Sequence, residues 1–109
     1  MITSQDWLNA IEKTEKKEFI RENILFVEVG TTGYRGGDTG HGGRTYLKLQ
    51  DMSSTDMRVR IDGENWVHMM SSHPLEIAFG GDAELDTLID ALDFAVDTLK
   101  KQRSLRWRP

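Results

Sequence analysis

The residues between Gly30 and Thr45 are the part of this 109-residue chain whose types and spacing could do chemistry. Seven of the ten glycines lie between Gly30 and Gly43. This connection is several times longer than the roughly two to five residues that a hairpin loop needs. Ordering each backbone residue costs about 1–2 kcal/mol, so we expect a bound partner to order the segment; a mobile loop or a set of β-bulges is the alternative.

Polar side chains set among the glycines suit a phosphorylated or nucleotide-like ligand. Successive backbone N–H groups can cradle anionic oxygens, and arginine binds phosphate through two parallel hydrogen bonds. In this hypothesis Tyr34 stacks on a base, Arg35 and Arg44 hold phosphate, and His41 or Asp38 reads polar edges. The predicted ligand-binding residues here are Tyr34, Arg35, Gly36, Gly37, Asp38, His41, Gly42, Gly43, Arg44 and Thr45, with further hydroxyls from Thr31, Thr32 and Thr39.

A second half of the candidate site follows from the alternation of side chains along strands. Arg44, Tyr46 and Lys48 point the same way, and Arg58 and Arg60 leave the core side of their own strand. If these strands lie in one sheet, its polar face is basic and carries an aromatic ring beside the glycine segment. Such a face also suits single-stranded nucleic acid, which is an alternative function.

Known nucleotide-binding motifs and catalytic constellations do not fit this segment. Asp38 to Thr45 resembles the end of a P-loop, but Arg44 replaces the lysine and a strand is predicted to follow. The dinucleotide fingerprint lacks its third glycine. His41, His68 and His73 are too scattered to predict a metal site, and no nucleophile has a recognisable base. We therefore expect no cofactor and lean toward a non-catalytic protein; an acid/base pair of His41 and Asp38 is the enzymatic alternative.

The pattern of apolar residues predicts an α+β fold: a five-stranded antiparallel sheet flanked by an N-terminal helix and a long C-terminal helix that packs on it. Residues 1–103 form the single predicted domain, and residues 104–109 form a basic tail. The first helix begins near Thr3 and Asp6, and Asp62-Gly63 marks a hairpin turn. The predicted helices are 4–16 and 82 onward, and the predicted strands are 23–29, 45–49, 57–61, 66–70 and 75–79.

The C-terminal helix carries two stripes at helical spacing. The apolar stripe is Leu85, Leu88, Ile89, Leu92, Val96 and Leu99, and the acidic stripe beside it is Asp86, Asp90, Asp93 and Asp97. An acidic stripe is typical of a solvated face. It is also compatible with a protein-interaction or inhibitor module, for example a small phage or bacterial regulatory protein. The basic tail could then pair with the acidic stripe of its own or of a neighbouring subunit.

Composition limits the remaining classes. The net charge is −4, and because the last ten residues carry five positive charges and no acid, the first 99 residues have a net charge of −9. Such a body gives no global attraction to nucleic acid. The absence of cysteine excludes disulfides and fits a cytoplasmic protein, and we expect neither a secretion signal nor a membrane span. The strand 23–29 is apolar on both faces, so either the first helix or another copy in a homo-oligomer should cover it.

Overall fold

The computed structural model describes residues 4–38 and 40–106. Predictions that concern Thr3, Thr39 and residues 107–109 lie outside these residues. Within them, neither helix combines the length and apolar character that a membrane crossing requires. The elements are α1 (Ser4–Leu8), β1 (Glu15–Ile20), β2 (Ile24–Thr31), β3 (Arg44–Ser53), β4 (Arg58–Val59), β5 (Val67–His68), β6 (Leu75–Gly80) and α2 (Asp82–Arg106).

The main sheet is antiparallel, has four strands and runs in the order β1-β2-β3-β6. The α+β class is therefore confirmed, whereas the five-stranded sheet is wrong. Ser54 has a positive φ of 55° just after β3, and Thr55 donates its hydroxyl to the Ile24 carbonyl at 3.0 Å. This turn ends β3, and β4 then pairs only with β5 in a separate two-stranded sheet.

The register gives the main sheet one apolar face. In strands, every second side chain points to the same side, and Val29 pairs with Leu47, which pairs with Ile77. This apolar face consists of Phe19, Leu25, Val27, Val29, Leu47, Leu49, Leu75, Ile77 and Phe79. Helix α1 contacts β3 from the opposite face, where Leu8 and Ile11 lie near Tyr46.

The predicted N-terminal helix over residues 4–16 is wrong. Helix α1 ends at Leu8, and the last two residues of the predicted helix belong to the edge strand β1 instead. Every residue of β1 is exposed. Charged side chains on a sheet edge discourage pairing with other chains, so a strand of this composition is suited to the edge although its sequence lacks a strand-like pattern.

The predicted pairing of residues 57–61 with 66–70 is confirmed by the β4–β5 ladder. Asp62 and Gly63 both have positive φ, 53° and 70°, and the Glu64 N–H donates to the Ile61 carbonyl at 3.0 Å. Two central residues of this kind are typical of a type I′ turn. The Asp-Gly pair therefore sets the turn as the sequence indicates.

Helix α2 is 25 residues long, or about 37 Å at 1.5 Å per residue. The predicted C-terminal helix is thus confirmed, and it continues through residues 104–106 of the predicted tail. Its packing differs from the prediction, because only its first turns lie over the apolar face. Leu85 and Leu88 are half-buried, whereas Ile89, Leu92 and Leu99 are 49%, 44% and 64% exposed.

The isolated chain leaves an unusual amount of apolar surface open. Among the described residues no hydrophobic side chain is buried. The accessible surface is 8606 Å², against about 6,200 Å² for a typical folded monomer of this mass. The radius of gyration is 16.2 Å, against about 13 Å for a compact domain of this length. Surfaces that a lone domain normally covers are therefore exposed here.

Candidate functional site

Asp82, the first residue of α2, organises the glycine-rich segment. Its Oδ1 accepts the backbone N–H groups of Arg35 at 2.9 Å and Gly43 at 2.8 Å. Its Oδ2 accepts those of Gly36 at 2.7 Å and Gly37 at 3.3 Å. The hydrogen bond from Arg35, together with those from the glycines, lowers the pKa of Asp82 below its ordinary value. The segment thus forms a nest of N–H groups around a carboxylate of the same chain.

This nest changes what the glycine-rich segment can do. Four N–H groups converging on one anion are the arrangement that the sequence predicts for a phosphate ligand. Here the side chain of Asp82 occupies that position, and its backbone N–H also donates to the Gly37 carbonyl at 3.1 Å. Aspartate at the start of a helix is typical of an N-terminal cap, whereas the Asp82 carboxylate contacts a loop about 40 residues earlier in the chain.

Two glycines are required by the close approach of backbone segments inside this loop. Gly42 and Gly43 are both buried. A Cβ at Gly42 would overlap the Gly37 carbonyl, and a Cβ at Gly43 would overlap the Gly33 carbonyl. By contrast, a Cβ at Gly40 would meet nothing within 4 Å. Part of the glycine content therefore serves internal packing and not the approach of a ligand.

Arg44 also makes contacts within the loop. Its Nη1 donates to the carbonyls of Gly42 at 2.8 Å and Gly43 at 3.1 Å, and its Nη2 donates to the Gly40 carbonyl at 3.2 Å. The half-buried guanidinium thus ties the end of the loop to the start of β3. The neighbouring Thr45 is 3% exposed, and its hydroxyl lies 2.9 Å from that of Thr31.

The remaining predicted residues of the loop differ in their surroundings. Tyr34 is 65% exposed, and its hydroxyl donates to Asp86 on α2. This hydrogen bond, with burial and the nearby acids, raises the pKa of Tyr34 above its ordinary value. The side chains of Arg35, Asp38 and His41 are exposed. The tyrosine therefore joins the loop to α2, while its ring stays open to solvent.

The face of β3 that carries Tyr46 and Lys48 is not basic. Lys48 pairs in register with Glu28 on β2 and Glu76 on β6. Tyr46 donates its hydroxyl to Glu76 at 2.7 Å. Burial first, and this hydrogen bond second, raise the pKa of Tyr46 well above its usual range. Acidic neighbours thus offset the cations that the sequence places on this face.

Arg58 and Arg60 do not join this face, because they belong to the segment of the separate β4–β5 sheet. The prediction that both halves of the site share one sheet is therefore wrong. Arg58 pairs with Asp56 at 3.1 Å. Arg60 donates to the Gly63 carbonyl at 2.7 Å, and its guanidinium carbon lies 5.7 Å from the centre of the Trp66 ring. Both arginines stabilise their own hairpin.

A metal site is not assembled in the described part of the chain. Residues 4–38 and 40–106 contain no group of three histidine or acidic side chains placed to hold an ion. His68 Nε2 lies 3.8 Å from Asp56, and Ser72 Oγ lies 3.0 Å from His73 Nδ1. This Ser72–His73 contact is exposed and joins adjacent residues.

Sequence reasoning placed the apolar stripe of α2 in the core, and the structure instead leaves it open beside a groove. The groove has a volume of about 430 Å³ and lies between the first half of α2 and the end of β2. It is lined by Lys13, Glu15, Val29, Gly30, Thr31, Thr45, Leu85, Leu88, Ile89 and Leu92. Phe94, on the other side of α2, is 71% exposed. The other large apolar residues that are exposed among the described side chains of α2, Ile89, Leu92, Val96 and Leu99, lie together on the stripe that continues out of this groove.

The acidic stripe runs along the same helix. Asp86 accepts the hydrogen bond from Tyr34, and Asp90, Asp93 and Asp97 are exposed. The apolar and acidic stripes are thus both open to a macromolecule that approaches α2.

Comparisons of the chain with models of known protein families, with curated proteins and with solved structures gave no match.

Proposed function

We propose that this chain is a non-catalytic protein-interaction module and that α2 is the element through which it binds. The observation that carries the proposal is the exposed apolar stripe of α2, in which Ile89, Leu92, Val96 and Leu99 are 49%, 44%, 48% and 64% exposed. An apolar stripe on a helix normally faces a protein core or a partner and not water. Contiguous exposed apolar surface of this kind is typical of a protein-binding site.

The contacts of the glycine loop favour this function over capture of a small anionic ligand. Such capture needs open N–H groups and an available arginine fork. In the folded chain Asp82 accepts the four converging N–H groups, and Arg44 donates to three carbonyls of the loop. The loop is therefore well suited to anchor the start of α2 to the sheet. Tyr34 adds to this anchor through Asp86.

The acidic stripe supplies the polar part of the proposed interface. The acidic stripe runs beside the apolar stripe on the surface of the helix. Its members Asp90, Asp93 and Asp97 are exposed. At protein interfaces, apolar contacts provide most of the affinity, and charges around them direct orientation and partner choice. A basic surface on the partner would match this arrangement.

Site-specific photo-crosslinking tests the proposal. A photoreactive phenylalanine analogue is placed at Ile89 or Val96, on the apolar stripe, and at Phe94 as a matched control on the far side of the same helix. After irradiation of cells that produce the full chain, adducts with a polypeptide should form from Ile89 and Val96 and much less from Phe94. Equal yields at all three positions, or no protein adduct from any of them, would contradict the proposal.

Calorimetric titration separates this function from the small-ligand hypothesis. The chain is titrated with inorganic phosphate and a panel of nucleotides, and we expect no saturable heat. If a nucleotide gives saturable heat that disappears in Arg44→Ala while the variant stays folded, the glycine loop is the working site and the proposal for α2 fails. Retained folding is checked by circular dichroism.

A further inference from the structure

The exposed stripe of α2 has the seven-residue spacing of a helix that pairs with another helix. Leu85, Leu92 and Leu99 are separated by seven residues, and Leu88 and Ala95 fall between them at the matching second position. This is the pattern that packs side chains of one helix into holes of a facing helix. Within the stripe, Leu85 and Leu88 are half-buried against the sheet, whereas the residues from Ile89 onward are exposed.

The charges of α2 are divided between its two halves. Residues 82–97 contain six acidic side chains and no basic one, whereas residues 98–106 contain four basic side chains and no acidic one. Two parallel copies would therefore place acids beside acids and bases beside bases. An antiparallel pair brings the basic end of each helix to the acidic first turns of the other, where Asp82, Glu84 and Asp86 lie, and it also opposes the two helix dipoles favourably.

The open surface is large enough for a stable dimer. The accessible surface of 8606 Å² exceeds that of a typical folded monomer of this size by about 2,400 Å². A standard interface buries about 800 Å² on each partner. The groove between α2 and β2, with its volume of about 430 Å³, is a place where apolar side chains of a second helix can insert.

From these observations we infer that a second copy of this chain covers the stripe, with the two α2 helices antiparallel and their pairing centred on Leu92. This inference rests on the proposed function and names its partner. In this register Leu85 faces the partner's Leu99, and Lys100 lies near the partner's Asp86, on the same side of the helix pair.

Disulfide trapping tests the pairing directly, because the chain has no native cysteine. Leu85→Cys and Leu99→Cys are purified separately, mixed and oxidised, with Phe94→Cys mixed with either one as the control. A disulfide forms only when two Cα atoms come within about 7 Å. The antiparallel register predicts mainly the mixed 85–99 product. Mainly 85–85 and 99–99 products, or yields no higher than with Phe94→Cys, would overturn the inference.

Charge reversal provides a second test in which every variant keeps the apolar stripe. Asp86→Lys and Lys100→Glu should each weaken self-association about three- to tenfold, and mixing the two single variants should restore it. If neither reversal changes the dissociation constant, the register is wrong. If the chain forms no dimer but still yields photo-adducts with another protein from Ile89, this inference fails while the proposed function stands.

Discussion

The substitution Gly42→Ala tests whether the glycine loop is as tightly closed as the structure describes. Gly42 is buried, and an added methyl group would overlap the carbonyl of Gly37 and approach the Asp38 oxygen at 2.9 Å. The neighbours are backbone atoms, so they cannot swing aside like the end of a long side chain. Gly40→Ala is the matched control, because it adds the same methyl group two residues earlier, where nothing lies within 4 Å.

The expected magnitude follows from these surroundings. Forcing a methyl group into a closed site costs about 1–3 kcal/mol. Alanine at an open position with ordinary φ stabilises by about 0.4–1 kcal/mol, because it reduces the freedom of the unfolded chain. We therefore expect Gly42→Ala to lower the free energy of unfolding by about 2 kcal/mol, or roughly 10 °C in Tm for a domain of this size. Gly40→Ala should be neutral or slightly stabilising.

Urea unfolding followed by tryptophan fluorescence measures this difference. With a slope near 2 kcal/mol per molar urea, a loss of about 2 kcal/mol moves the midpoint down by roughly 1 M. All samples need the same chain concentration, because self-association adds to the apparent stability. Equal midpoints for Gly42→Ala and Gly40→Ala would refute the reasoning, since the loop would then have room for a methyl group where the structure has none.

Three further predictions concern the contacts of the loop, the sheet and α2. In Asp82→Asn one side-chain oxygen remains to accept hydrogen bonds, so hydrogen exchange at the amides of Gly36, Gly37 and Gly43 should become faster relative to the amides of β3. The free energy of unfolding should also depend less on pH in the acid range. The lowered pKa of Asp82 gives the wild type a contribution that is present above about pH 4 and lost as pH falls through the folded pKa. The raised pKa of Tyr46 has the opposite sign: its contribution is present below about pH 10 and lost as pH rises further. Urea unfolding of the wild type at pH 9 and 11 should therefore show a steeper loss than Tyr46→Phe; equal losses would contradict this. Asp90→Lys with Asp93→Lys should weaken adducts with a basic partner from Ile89, and unchanged yields would remove the acidic stripe from the interface.

The sequence was a good guide where the signal is local. The stripe from Leu85 to Leu99 repeats at helical spacing, and the helix forms there. Asp62-Gly63 favours positive φ at both positions, and the turn adopts it. The strands around Val27 and Leu47 also follow their apolar alternation.

The parts that sequence reasoning missed depend on contacts between distant residues. The strand Glu15–Ile20 has a composition typical of a solvated helix, and it becomes a strand because β2 offers it a partner edge. The position of Asp82 at the start of a helix is typical of a helix cap, but its carboxylate accepts hydrogen bonds from N–H groups some 40 residues earlier in the chain. The three carbonyl acceptors of Arg44 become its neighbours only after the loop closes, so these contacts are not visible in the sequence.

The two stripes of α2 show a further limit. An apolar stripe indicates that a helix face is normally covered, but it does not indicate which surface covers it. The sequence favoured the sheet of the same chain, and the structure brings only Leu85 and Leu88 toward that sheet. This difference moves the candidate functional surface from the glycine loop to α2.

Sedimentation equilibrium of the wild-type chain tests the central claim most directly. The account predicts that molar mass rises with concentration to twice the 12.5 kDa of the single chain, since α2 of one copy covers α2 of another. A mass that stays at 12.5 kDa up to about 100 μM, well above the dissociation constants of standard-size interfaces, would contradict it.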